Sequence, residues 1–140
     1  MKQNFRFCLL LLSLSGFIFS SCKKQADNTN SNFSITEFLS SAQWEVAYYA
    51  DGDTVLTDNF KDYTFTFLSD GKMYAANETL SIEGAWTNDN TNQNLNITIS
   101  GANSVNELTN LWEVISTENS SIQISYEISV DKKLLTFVKK

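Results

Sequence analysis

The sequence predicts an all-β protein, an eight-stranded antiparallel up-and-down barrel preceded by one short helix. Three observations carry this. Beyond residue 42 the chain falls into eight short runs, most with apolar and polar side chains alternating at period two, as in strands with one buried face. Turn residues separate the runs. No long amphipathic helix lies between them, so parallel crossovers are disfavoured and neighbours should pair antiparallel. Eight such strands either stack as a two-sheet sandwich or close as a barrel. Closure is preferred, because most links are short and a closed sheet has no exposed edge.

The first 21 residues stand outside that fold. Lys2 and Arg6, a 13-residue apolar run from Phe7 to Phe19, and small Ser20 and Ser21 make the three parts of a secretory signal. The run is shorter than the roughly 20 apolar residues a spanning helix needs. Phe19-Ser20-Ser21-Cys22 resembles the lipobox of bacterial lipoproteins, with Phe19 in place of the usual Leu. The resemblance implies lipidation at Cys22, by palmitate or a similar acyl chain, and a mature chain that starts there. Cys8 leaves with the signal, so no disulfide is expected and stability rests on the core. The implied location is the bacterial cell envelope, most simply the outer membrane, held by the acyl chains alone.

Residues 22–33 read as a flexible tether, since Lys23 to Asn32 holds one small apolar side chain and nothing to bury. The folded domain is then 34–140. Ser34 followed by Glu37 fits a capping box, and Phe33 with Phe38 fits a hydrophobic staple, which predicts a helix over about Ile35 to Ser41 that caps the sheet.

The first strand, Gln43 to Ala50, sets Trp44, Val46 and Tyr48 on one face. Tyr63 to Leu68 alternates Tyr63, Phe65 and Phe67 with threonines, and Asp70-Gly71 supplies the hairpin turn into Lys72 to Asn77. Leu80 to Thr87 places Leu80, Ile82, Gly84 and Trp86 together, and Asn94 to Ser100 turns Leu95, Ile97 and Ile99 inward. Thr109 to Ser116 offers Trp112 and Val114, and Ser121 to Ile128 offers Ile122, Ile124 and Tyr126. In the last strand, Lys133 to Lys139, either Leu134 with Val138 or Leu135 with Phe137 faces the core.

A short helix leading into Ala42-Gln43-Trp44, then Tyr63-Thr64-Phe65-Thr66-Phe67-Leu68-Ser69-Asp70-Gly71, then Gly84-Ala85-Trp86 before a polar turn, resembles the lipocalin-like lipoproteins common in Bacteroidota. The likeness spans about Ile35 to the C-terminus. Ala42 stands where the lipocalin pattern has glycine two residues before the tryptophan. The resemblance implies a small calyx-like barrel.

Composition removes several kinds of chemistry. With no histidine, Ser-His-Asp and Cys-His catalytic units and His-containing zinc sites are impossible within the chain. Asp51, Gly52 and Asp53 with Asp58 and Asp62 lack EF-hand spacing and read as a polar turn, so no metal is expected. Composition leaves paired carboxylates for glycoside hydrolysis open, but no two acids are placed for it by motif and a barrel this small has little room for a cleft. The reading is a non-enzymatic protein without a cofactor. All 16 acidic residues lie between Asp27 and Asp131, an interval with only Lys61 and Lys72 as bases, which makes nucleic acid a poor partner. Lys139 and Lys140 should finish beside the tether, where they either meet anionic lipid or merely aid solubility.

Two site hypotheses remain. Trp44, Tyr48, Phe65, Trp86 and Trp112 are candidates to line an internal pocket, against the plainer reading that they are core. In an eight-stranded meander the two longest links, Asp51 to Asp62 and Gly101 to Leu108, share the end opposite the tether. A ligand mouth there would carry Asp51, Asp53, Asp58, Glu107 and Asp131 and favour a neutral or cationic visitor. Two functions follow: a calyx that carries a small apolar ligand, or a filled barrel that serves an envelope complex as a protein interaction module.

Overall fold

The chain closes on itself through its first and last strands. The computed structural model describes residues 33–101 and 104–140. The signal, Cys22 and the tether up to Asn32 lie outside the described residues. Helix α1 (Ile35–Ser40) is followed by β1 (Gln43–Asp51), the short β2 (Thr54–Val55), β3 (Thr64–Phe67), β4 (Lys72–Ala76) and β5 (Ser81–Asp89). Then come β6 (Asn94–Ile99), β7 (Asn110–Glu118), β8 (Ser121–Ile128) and β9 (Asp131–Lys139). The 3-10 turns Thr57–Phe60 and Ser104–Leu108 lie in the two longest links. From β3 to β9 each strand pairs antiparallel with the next; β1 pairs with β3 and, from Trp44↔Lys139 to Asp51↔Lys133, with β9. β2 only folds back on the end of β1, so eight strands form the closed barrel.

Local chemistry explains the elements. The Ser34 hydroxyl accepts the Glu37 amide at 3.3 Å, and the Phe33 and Phe38 rings meet at 5.5 Å, so cap and staple both form. The helix ends one residue earlier than expected, where the Ser41 amide and hydroxyl both donate to the Phe38 carbonyl. The β3–β4 hairpin turns on Gly71, whose φ of +91° disfavours a side chain. Gly84 has a different purpose. A Cβ there would lie 2.8 Å from both the Ile99 Cβ and the Thr98 carbonyl oxygen, so glycine lets β5 and β6 approach closely.

The core runs the length of the barrel. Trp44, Phe65, Phe67, Leu95, Ile97, Trp112 and Phe137 are all essentially inaccessible, and among the described residues no polar residue is buried with them. Phe137 takes Phe65 and Phe67 edge-on at 5.2 and 5.6 Å. Leu135 and Phe137 are therefore the inward pair of the last strand, and Leu134 and Val138 are only half-buried on its other side.

Two expected core positions are corrected. A register shift between Val46 and Tyr48 breaks the alternation of β1, so Tyr49 is fully buried and Tyr48 only partly so. A bulge adds one residue to a strand and reverses which side chains face inward. Leu80 stays 41% exposed, because it sits before β5 in a tight link whose Thr79 and Leu80 amides both donate to Asn77 Oδ1.

Candidate functional site

At the end of the barrel opposite α1, one lysine gathers two carboxylates and a phenol. Asp51 ends β1 and lies directly across the sheet from Lys133 near the start of β9, while Glu107 comes from the 3-10 turn Ser104–Leu108. Lys133 Nζ donates to Asp51 Oδ2 at 2.8 Å, Glu107 Oε2 at 2.9 Å and the Tyr49 hydroxyl at 3.3 Å. Its side chain is only 15% exposed. Burial pulls the ammonium pKa down, but the three hydrogen bonds outweigh it and hold the pKa above the ordinary lysine value. Burial pushes the Tyr49 phenol up, against the pull of Lys133.

This cluster joins the start of one long link to the end of the other. The Ser104 hydroxyl donates to the Asn59 carbonyl at 2.9 Å, tying one 3-10 turn to the other. Beneath them Phe60, Val105 and Leu108 are buried, and Phe60 packs edge-on to Tyr49 at 5.0 Å. The opposite end is stopped by Ile35 and Leu39 of α1, fastened where Asn90 Oδ1 accepts the Ile35 amide and Asn88 Oδ1 accepts the Thr36 hydroxyl.

The predicted mouth residues thus separate. Asp51 and Glu107 come together on Lys133, whereas Asp53, Asp58 and Asp131 stand exposed on the surrounding turns. Among the described residues no three acidic side chains gather as metal ligands. Of the predicted pocket residues, Trp44, Phe65, Trp86 and Trp112 are in the core, and Tyr48 is displaced by the bulge. Each indole N–H is taken by a carbonyl at a turn or helix end: Trp44 by Leu39 at 2.8 Å, Trp112 by Leu108 at 2.9 Å, and Trp86 by Leu68 and Lys72 at 3.0 and 3.1 Å. The tryptophans fasten links to the barrel and have no free donor for a ligand.

Lys133 and Tyr49 were missed in the sequence. Lys133 shares the parity of Leu135 and Phe137, so it could have been marked as a rim residue once the inward face of the last strand was known. Tyr49 gave no such signal, because a bulge leaves no mark in the alternation of polar and apolar residues.

On the outside, a groove of about 250 Å³ lies where β7 and β8 separate, lined by Leu111, Glu113, Ser125, Tyr126, Glu127 and Ile128 with Asn94. A polar groove of about 400 Å³ beside β3 is lined by Gln43, Asp62, Thr64, Thr66, Ala76, Asn77, Glu78 and Lys140.

Fold and site together define a small antiparallel barrel with a contiguous hydrophobic core and a short helical segment at each end. No family model matches the chain, and no curated protein matches it. Among solved structures it is similar to a DUF4847 family protein from Bacteroides vulgatus, with a TM-score of 0.58 and 15% sequence identity, over 76% of this chain and 98% of that one. At that identity the likeness shows the fold alone.

Proposed function

We propose that the protein is a lipid-anchored, non-enzymatic barrel of the bacterial envelope, lipocalin-like in build, that acts through its outer surface as an interaction or accessory module rather than by carrying a ligand inside. One observation carries this reading: aromatic and aliphatic side chains occupy the barrel axis, and apolar residues of α1 and of the two 3-10 turns stop its ends. An eight-stranded barrel has room for its own side chains or for one small ligand, and the contiguous cluster of buried side chains supports the first. The committed indole N–H groups support the same view. The anchor rests on the sequence, where Cys22 follows Ser20 and Ser21 at the end of the apolar run.

Metabolic labelling with a palmitate analogue tests the anchor. The wild type should be marked and Cys22→Ala unmarked; persistent labelling of the variant would remove the assignment. Titration with an apolar fluorescent probe tests the filled interior. Saturable one-to-one uptake that is lost on truncating core residues would restore the calyx.

A further inference from the structure

The ladder between β7 and β8 runs from Glu118↔Ser121 only as far as Glu113↔Ser125. The next positions in that register, Trp112 with Tyr126 and then Leu111 with Glu127, are not paired with each other. Leu111 continues beside β6 and Glu127 beside β9, so the two strands diverge toward the rim. Main-chain groups at such an opening are available to an added extended segment.

The side chains around it are unusual for a solvated rim. Leu111 and Ile128 are each 59% exposed, and Val130, at the tip of the β8–β9 hairpin, is 90% exposed. Val130 follows Ser129, which takes a φ of +59°, so a β-branched apolar residue occupies a tight turn where small polar residues are usual. Clustered exposed apolar residues beside a groove mark interaction sites more often than single ones do. The charges in this groove are of one sign: Glu113 and Glu127 line it, and no basic residue does. Glu127 has a neighbour in Lys132 at 3.7 Å, but both side chains are more than 60% exposed, so a partner's cation can displace that contact.

Building on the surface-acting reading above, we infer that the β7–β8 opening is a docking groove for an extended, cationic polypeptide segment of an envelope partner. Its main chain lies along the diverging strands, its apolar side chains cover Leu111 and Ile128, and its lysines or arginines meet Glu113 and Glu127. Charge complementarity selects this occupant over a second copy of the chain, whose acidic body would be repelled.

The test uses the full mature protein and two blocked hexapeptides, one alternating lysine with valine and one alternating glutamate with valine, titrated by calorimetry at low salt. The lysine peptide should bind saturably and the glutamate peptide should not. Leu111→Ser and Ile128→Ser should each weaken binding roughly tenfold, and Glu113→Lys combined with Glu127→Lys should reverse the preference. All four positions are exposed, so urea midpoints should match the wild type, and Thr66→Ala on the β3 groove should change nothing. Absence of saturable binding, equal binding of both peptides, or indifference to the groove variants would overturn the inference. Such a failure leaves the surface-acting reading intact, which falls separately if the interior takes up an apolar probe.

Discussion

The two ends of the barrel are closed by opposite means. At the helix end the apolar stopper comes from one short segment: α1 supplies buried Ile35 and Leu39, the Trp44 indole holds the Leu39 carbonyl five residues away, and Asn88 and Asn90 accept hydrogen bonds from its first turn. At the far end the stopper is assembled from distant segments, with Asp51, Glu107 and Lys133 drawn together from β1, a link and β9. Both ends still share one device, since Trp112 holds the Leu108 carbonyl as Trp44 holds that of Leu39. The difference is therefore in what is added to the apolar plug. The helix end relies mainly on packing and on neutral hydrogen bonds from α1 to Asn88 and Asn90, whereas the far end adds an ion cluster that salt screens.

The largest expected effect lies between the ends, in what they share. Phe65 packs on Phe137 at the middle of the barrel, and Phe65→Ala should lower stability by about 3 to 5 kcal/mol, read from the urea midpoint. An unchanged midpoint would mean the core is placed wrongly. Gly84→Ala comes next. Its new methyl group would press on Ile99 and the Thr98 carbonyl, an overpacking that costs about 1 to 3 kcal/mol.

Smaller effects separate the two ends. Ser34→Ala removes the cap of α1 and should cost about 1 kcal/mol, with little dependence on salt. Lys133→Met should cost about 1 kcal/mol at low ionic strength, because Asp51 and Glu107 are 40 and 48% exposed and water screens much of the attraction. Unlike the cap variant, its deficit should shrink as salt is added. The pH dependence also has a fixed sign. Folding raises the Lys133 pKa above its ordinary 10.5, so its contribution is complete below that pH and is lost as pH climbs through the folded-state value. The gap between wild type and Lys133→Met should therefore be level from neutrality into mild base and close in strong base.

The smallest effect belongs to Asp89 in the turn against α1. Hydrogen bonds from the Asn92 side chain and from the Asn92 and Thr91 amides hold its carboxyl below the ordinary 3.8. Its contribution is present above that pH and fades as pH falls through the depressed value. Asp89→Asn should differ from the wild type at neutral pH and converge with it in acid.

What the sequence disclosed follows the same division. Strand positions, the Asp70-Gly71 turn and the Ser34 cap were legible because each depends on residues a few positions apart. The inward side of β9 was not, since Leu134 with Val138 and Leu135 with Phe137 are equally apolar and only the register against β1 decides between them. Tyr48 was misplaced for a related reason: the bulge after Val46 follows from closing the barrel, which no local pattern encodes. At the far end, the placing of Asp51 and Glu107 on one rim was legible, but their shared lysine depended on those two unresolved facts.

The central claim is that the barrel interior is occupied by its own side chains. A native mass spectrum of the protein released from its own membrane tests it most directly. The account predicts the acylated polypeptide, alone or with a protein partner, and no retained small molecule. A stoichiometric apolar compound that stays bound after the detergent is stripped, and is lost on truncating Trp112 or Phe65, would contradict it.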